Sequence, residues 1–325
     1  MFLSIVYLLG GLMLILGGAN YLTDGSSAVA RRMGISDLVV GLTVVAFGTS
    51  TPELAIGIIS AIQGNAELAV GNTVGSNIFN ILAIIGITSI VRPIKVEKSI
   101  MTNEIPLVIL SSIVLIVMAN GPLLDGDPSA IITRIDGIIL LLFFAIFMRY
   151  TFAQARTKGN NDDPAAQTAT KRPSLSMWRS ILFIIGGLAA LVFGGDLFVD
   201  GASEIARRFG VSDAVIGLTI VAVGTSLPEL AASVTAAVKG MPGLAIGNVI
   251  GSNIFNIFLV LGSAATIAPL PLGNVTNIDL GVLLFASLLF WVFGQFFKTR
   301  TFTRSEGVLM AACYIGYMIW LVISA

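Results

Sequence analysis

A duplicated stretch of 46 residues constrains the fold of this chain more than any other feature. Residues 41–86 and 217–262 align without a gap at an offset of 176 positions, and 26 of the 46 positions are identical. Gly10-Gly11-Leu12 recurs as Gly186-Gly187-Leu188 at the same offset, so the duplication extends beyond the core motif. We therefore expect the chain to fold as two similar halves.

The composition indicates a membrane protein. Hydrophobic residues make up 56% of the chain and charged residues only 11%, whereas a soluble domain carries about 25% charged residues. Several apolar runs exceed the roughly 18 residues needed to cross a bilayer. The first run, from Phe2, has no basic leader and no small-residue cleavage site, so we interpret it as a retained helix. The formal net charge is zero, and no basic patch favours nucleic acid as a partner.

Hydropathy predicts an all-α polytopic membrane protein with ten transmembrane helices. They span about 2–21, 36–62, 67–91, 104–118, 130–150, 178–200, 212–238, 243–268, 276–297 and 305–324. The polar stretch 151–177 lacks apolar periodicity and is predicted to be a flexible linker. It separates a first five-helix repeat (1–150) from a second (178–325). Because five is odd, the second repeat enters the membrane in the opposite orientation, which is typical of transporters with a site between their repeats.

Lysine and arginine are distributed unevenly among the predicted loops. Of the 18 such residues, 15 follow odd-numbered helices and three follow even-numbered helices. Positively charged residues concentrate in the cytoplasmic loops of membrane proteins. We therefore predict a multi-pass protein of the cell membrane with a cytoplasmic linker and both termini outside.

A proline motif occurs once in each half, as Thr49-Ser50-Thr51-Pro52-Glu53 and as Thr225-Ser226-Leu227-Pro228-Glu229. Proline has no N–H group, so backbone carbonyls in the preceding turn lose their helical partner. In a membrane such a carbonyl must be satisfied in another way, and lining an ion site is one possibility. Ionisable residues inside membrane helices are costly and usually functional, which makes Glu53 and Glu229 the leading site candidates.

A polar stripe follows the proline motif in each half. Its members are spaced by four residues and share a helical face: Asn72, Ser76 and Asn80 in the first half, and Asn248, Ser252 and Asn256 in the second. For the two serines, close helix packing is the alternative interpretation.

Oxygen is the ligand atom that this chain offers in quantity. One cysteine and no histidine are present, which excludes disulfides and soft-metal sites. No Lys or Arg lies near either glutamate within the predicted helices, so the expected counter-charge is a bound cation. Ca²⁺ takes about six to eight oxygen ligands, whereas Mg²⁺ holds its water shell. The pattern predicts an all-oxygen site for Ca²⁺ or for Na⁺, another hard cation.

The paired GTS-x-PE and GSNI motifs resemble the two α-repeats of the cation/calcium antiporter family, specifically its sodium/calcium exchangers of prokaryotic type. The resemblance covers nearly the whole chain and implies a ten-helix fold, alternating access and Ca²⁺ export driven by a Na⁺ gradient. It also implies that Glu53 and Glu229 bind Ca²⁺. The other residues that match ion ligands or central polar positions are Thr49, Thr225, Ala46 and Ala222 through their carbonyls, Ser50, Ser226, Ser76 and Ser252, and Asn80 and Asn256.

One departure from the family pattern limits what the resemblance implies. Some relatives carry aspartate at the position of Asn256, and potassium-dependent exchangers use a carboxylate there. Because this chain has asparagine, potassium co-transport is not expected, and the Na⁺ stoichiometry stays open. A proton-coupled or other cation exchanger remains an alternative, as does a cation channel from a different class. The chain has no nucleophile–base pair and no cofactor motif, so we expect neither enzyme activity nor a cofactor. We expect the chain to function as a monomer.

Overall fold

Long apolar helices dominate the computed structural model of this protein, which describes residues 2–124, 126, 129–158, 175–210, 220, 222–296 and 300–324. Eight helices in this part are long and apolar enough to cross a membrane, and two further helices meet at a bend to form a ninth span. The start of the predicted helix 212–238, and with it the start of the second motif copy, lies outside the described residues. The count of ten helices therefore stays a prediction.

The elements are numbered in chain order. The helices are α1 (Phe2–Met33), α2 (Asp37–Thr49), α3 (Thr51–Ile62), α4 (Glu67–Val91), α5 (Ile100–Ala119), α6 (Gly121–Leu124), α7 (Arg134–Lys158), α8 (Met177–Arg208), α9 (Ala222–Gly224), α10 (Leu227–Val238), α11 (Pro242–Ile267), α12 (Asn277–Phe296) and α13 (Arg304–Ser324). The strands are β1 (Ile94–Lys95), β2 (Ile131–Ile132), β3 (Leu270–Pro271) and β4 (Thr301–Phe302). Helix α7 extends to Lys158, into the stretch 151–177 predicted to be a linker. Residues 159–174 of that stretch lie outside the described part.

Helices α1 and α8 extend beyond the ends that hydropathy predicts. The predicted helices end near residues 21 and 200, whereas α1 continues to Met33 and α8 to Arg208. The polar residues Ser26 and Ser27 in the last turns of α1 are buried, so protein contacts cover this part of the helix. The helix ends before Gly34, whose φ of 62° is the left-handed conformation that terminates helices.

Rows of glycine hold α1 and α8 together. A methyl group built on Gly187 would lie 2.6 Å from the backbone nitrogen of Leu22, and one on Gly11 would lie 2.5 Å from that of Phe198. The glycines with such contacts are spaced by seven residues on each helix and are related by the repeat offset: Gly11, Gly18, Gly25, Gly187, Gly194 and Gly201. Small residues of this kind let membrane helices approach closely.

The helix predicted at about 36–62 is broken, although its hydropathy predicted one continuous helix. Helices α2 and α3 meet at Ser50 with a bend of 47°. Pro52 lies in the first turn of α3, where its missing N–H costs no helical hydrogen bond. The second half repeats the break, because residues 225 and 226 separate α9 from α10 and Pro228 follows. Each glutamate therefore lies in the first turn after a break.

Helices α4 and α11 form the buried centre of the protein. In their most apolar windows, 78% of the α4 residues and 94% of the α11 residues are buried. Both helices contain a π-helical stretch directly after the GSNI sequence, at Phe79–Ile84 and Phe255–Leu261. Such stretches are rare and often occur at functional sites, and these two carry Asn80 and Asn256.

Two short antiparallel ribbons join the halves through their loops. Strand β1 pairs with β4, and β2 pairs with β3. Strands β1 and β4 follow the third and ninth predicted helices, whereas β2 and β3 follow the fourth and eighth. Exchanging the two halves therefore converts one ribbon into the other, as an inverted repeat requires.

The glycine rows generate a stability prediction with a built-in control. Gly187→Ala should destabilise the protein by about 1–3 kcal/mol, because the added methyl group has no space between α1 and α8. Gly186→Ala should have little effect, since a methyl group at Gly186 would meet nothing within 4 Å among the described residues. Thermal unfolding of the purified protein in detergent measures both. Equal melting temperatures for the two variants would contradict the close packing.

Candidate ion-binding site

Glu53 and Glu229 are buried at the centre of the protein. The side chains of both glutamates are fully inaccessible to solvent. The ion pairs in the described part of the chain include Lys239 with Asp24 and Arg208 with Glu204, and neither of these pairs involves the two central carboxylates. Two acids are therefore buried without a cationic side chain, which is costly unless a proton or another cation accompanies them.

The two glutamates are held by serines from the opposite halves. The Ser50 hydroxyl donates to Glu229 Oε1 at 3.0 Å, and the Ser226 hydroxyl donates to Glu53 Oε1 at 3.3 Å. Ser252 also donates to Glu229 Oε1 at 3.4 Å. Ser50 and Ser226 each lie three residues before the glutamate of their own half, so the broken helices α2–α3 and α9–α10 bring the two carboxyl groups together.

Several polar atoms around this pair are buried but have no hydrogen-bonding partner among the described residues. They are Oε2 of Glu53 and Glu229, Oγ of Ser76, Oγ1 of Thr225, Nδ2 of Asn72, both polar atoms of Asn80 and Oδ1 of Asn256. Buried polar groups nearly always have a partner. Most of these atoms are oxygens, and the described residues contain no cluster of three or more His, Cys, Asp or Glu side chains. The arrangement therefore suits a hard cation held by few charges and many neutral oxygens.

Asn248 links the two broken helices on one side of the glutamate pair. Its Oδ1 accepts a hydrogen bond from Thr49 Oγ1 at 3.1 Å. Its Nδ2 donates to the Glu229 carbonyl at 3.2 Å and to Ser233 Oγ at 3.0 Å. The four-residue spacing predicts Asn248 on the polar stripe, but no sequence signal indicates Ser233. The repeat could not have revealed it, because Gly57 occupies the equivalent position.

Asn77 lies where α4 and α11 cross. Its Nδ2 donates to the Asn253 carbonyl at 3.1 Å, and its Oδ1 accepts from Asn256 Nδ2 at 3.1 Å. Asn77 and Asn253 are off the predicted polar stripe, yet both are buried. The central carboxamides are therefore organised by a neighbouring pair of asparagines.

The alanine carbonyls of the candidate ligand set differ between the halves. The Ala46 carbonyl accepts the Ser50 backbone N–H at 2.9 Å. In the second half, the Ser226 N–H donates to the Val223 carbonyl at 3.1 Å, one residue closer along the chain. The turn between α9 and α10 is therefore tighter than the corresponding turn between α2 and α3.

The family model described as sodium/calcium exchanger protein matches residues 3–153 and 179–323. The putative antiporter CaxA of Alkalimonas amylolytica is 39% identical over 324 residues, which cover 98% of both chains. The sodium/calcium exchanger MaX1 of Methanosarcina acetivorans is 32% identical over 343 residues, with 97% of both chains covered.

A solved structure has the same fold. The sodium-calcium exchanger NCX_Mj, soaked with 2.5 mM Na⁺ and 0.1 mM Ca²⁺, matches with a TM-score of 0.81 at 34% identity over 98% of both chains. These similarities confirm the exchanger fold and the family resemblance of the paired motifs. The chain is a membrane transporter, not an enzyme, and it belongs to the sodium/calcium exchanger protein family.

Proposed function

We propose that this protein exchanges Na⁺ for Ca²⁺ across the membrane by alternating access, with Ca²⁺ bound between Glu53 and Glu229. The observation that carries this proposal is the crossed arrangement of the two carboxyl groups, each of which accepts a hydrogen bond from a serine of the other half. A site built in this way depends on how the halves meet. Movement of one half against the other can therefore open the site to either side of the membrane.

Charge balance favours a divalent cargo. Two ionised carboxylates match the charge of one Ca²⁺, and both are buried without a cationic side chain nearby. Ca²⁺ accepts irregular coordination by about six to eight oxygens at about 2.3–2.6 Å. The unpartnered Oε2 atoms of both glutamates supply charged ligands, and neutral oxygens complete the set.

Na⁺ would occupy flanking positions built from the neutral groups. We assign to the combined Ca²⁺ and Na⁺ sites Glu53, Glu229, Thr49, Thr225, Ser50, Ser226, Ser76, Ser252, Asn80, Asn256, Ala46 and Ala222. Besides the two glutamates, four of these residues have a buried atom without a partner among the described residues: Ser76, Asn80, Thr225 and Asn256. Competition between one Ca²⁺ and several Na⁺ ions for shared carboxylates would couple the two fluxes.

The proposed setting is the cell membrane, with a monomer as the functional unit. The excess of Lys and Arg in loops after odd-numbered predicted helices supports a cytoplasmic linker within 151–177 and external termini. The five-helix repeats would then comprise residues 1–150 and 178–325.

The exchange can be tested with purified protein in proteoliposomes. Vesicles loaded with Na⁺ and diluted into Na⁺-free buffer should accumulate ⁴⁵Ca²⁺, and dissipating the Na⁺ gradient should stop the uptake. Uptake that follows a pH step instead would indicate proton coupling. Passive uptake down the Ca²⁺ gradient without a counter-ion would indicate a channel.

Removing either central charge should stop transport. Glu53→Gln and Glu229→Gln should each lower Na⁺-dependent Ca²⁺ uptake by at least about tenfold, because one carboxylate cannot balance a divalent ion in a buried site. Glu204→Gln is the matched control, since Glu204 is 44% exposed and pairs with Arg208 at the surface. Control-level uptake by either central variant would disprove the two-carboxylate site.

A third carboxylate at the centre should change ion preference. Asn256→Asp places a negative charge on the buried π-helical stretch of α11, which should alter ion selectivity or introduce a pH dependence. Asn65→Asp, at an exposed position before α4, is the control. Competition of Na⁺, K⁺ and Ca²⁺ against ⁴⁵Ca²⁺ uptake between pH 6 and 9 measures the effect. An unchanged profile would show that Asn256 is remote from the ions.

A further inference from the structure

The crossed serine–glutamate bonds are made in both directions between the halves. Several other hydrogen bonds between the halves are made on only one side of the repeat axis, the pseudo-two-fold axis that relates the two repeats. Asn256 Nδ2 donates to Asn77 Oδ1. The equivalent bond, found by exchanging the halves, would join Asn80 Nδ2 to Asn253 Oδ1. Both of those atoms are buried and have no partner among the described residues. The two atoms without a hydrogen bond are therefore the repeat equivalents of the bonded atoms Asn256 Nδ2 and Asn77 Oδ1.

The hydrogen bond between Asn77 and Asn253 is likewise made in one direction only. Asn77 Nδ2 donates to the Asn253 carbonyl at 3.1 Å. The equivalent donor, Asn253 Nδ2, instead bonds to the Val249 carbonyl of its own helix at 2.7 Å. Asn253 thus adopts a local alternative to the bridging conformation of Asn77.

A second, independent contact repeats the pattern. Thr49 Oγ1 bonds to Asn248 Oδ1, and Asn248 Nδ2 bonds to the Glu229 carbonyl. The equivalent atoms in the other half are Thr225 Oγ1 and Asn72 Nδ2. Neither has a partner among the described residues.

We propose that Asn77 and Asn253 are positioning residues of a two-state hydrogen-bond switch at the repeat axis. In the state described, Asn77 crosses the axis and Asn253 bonds to its own helix. In the mirrored state the roles are exchanged, and the unpartnered atoms of Asn80, Asn253, Thr225 and Asn72 gain the bonds that their repeat equivalents make now. Apart from the bond from Asn248 to Ser233, whose repeat equivalent is Gly57, both states use equivalent donors and acceptors. Their energies are therefore similar, and bound ions can select between them.

The switch determines which central carboxamide is oriented by a hydrogen bond from its Nδ2, while its Oδ1 has no partner among the described residues. Asn77 now holds Asn256, whereas both polar atoms of Asn80 are unpartnered. In the mirrored state Asn253 would hold Asn80 and release Asn256. This inference rests on the proposed alternating access. It assigns to Asn77 and Asn253 the control of the equilibrium between the two access states.

Reciprocal variants test the switch. Asn77→Ala removes two bonds of the state described, and Asn253→Ala removes the corresponding donor of the mirrored state. The readout is a cysteine at Leu42, in a Cys313→Ser background. Leu42 is buried where α2 packs on α11, and a methyl group on Gly251 would lie 2.9 Å from its carbonyl oxygen. In the mirrored state we expect the packing of α2 against α11 to loosen and to expose this position, because the access path to the site then lies on the other side of the membrane.

Labelling by a small water-soluble methanethiosulfonate should change in opposite directions. We expect Asn77→Ala to raise the labelling rate by about fivefold and Asn253→Ala to lower it by about fivefold. This is the change in the equilibrium between the two states that the net loss of one hydrogen bond would cause. The double variant should return towards the parental rate. Shifts in the same direction, no shift, or a double variant that keeps the labelling rate of either single variant would overturn the switch.

A control and a transport measurement separate this inference from the proposed function. Ser112 and Ser287 share a buried hydrogen bond of 3.1 Å between the equivalent helices α5 and α12, so Ser112→Ala should favour neither state and leave labelling unchanged. In proteoliposomes, the ratio of the apparent Ca²⁺ KM values at the two faces should shift oppositely in the two variants. A parental protein without Na⁺-dependent Ca²⁺ flux would refute the function, while the labelling rates would still decide the switch.

Discussion

The crossed pairing of Ser50 with Glu229 and of Ser226 with Glu53 is the interaction on which the rest of the site depends. Burying an ionised carboxylate costs on the order of several kcal/mol even after the protein relaxes, and here two are buried together. Neutral hydroxyls offset part of that cost but supply no opposite charge. A bound cation can supply it, and because each half provides only one carboxylate, neither half can complete the site alone.

The surrounding fold makes this pairing geometrically possible. Breaks at the two proline motifs place both glutamates in the first turn of a new helix, where backbone N–H groups have no partner within the helix. The π-helical stretches of α4 and α11 carry Asn80 and Asn256 beside them. Glycine contacts between α1 and α8 keep these outer helices close together without interlocking side chains. The structure thus combines a hydrogen-bonded centre with glycine-mediated backbone contacts between the outer helices.

Much of this architecture could be predicted from the sequence because it is duplicated. The repeat identified Glu53 and Glu229, the serines that cross between halves and the inverted topology, since each signal occurs twice. Features without a duplicate signal were missed: Ser233 has glycine as its repeat equivalent, and the one-sided bonding of Asn77 cannot be read from identical motifs. The ends of α1 and α8 were also misjudged, because hydropathy does not recognise polar turns that other helices cover.

The central claim is that one divalent ion lies between carboxylates from the two halves. Anomalous diffraction from crystals soaked in Ca²⁺ without Na⁺ tests it most directly. The account predicts a single strong peak at about 2.3–2.6 Å from a carboxylate oxygen of each of the two glutamates. A peak that contacts only one of them, or that lies elsewhere in the protein, would contradict it.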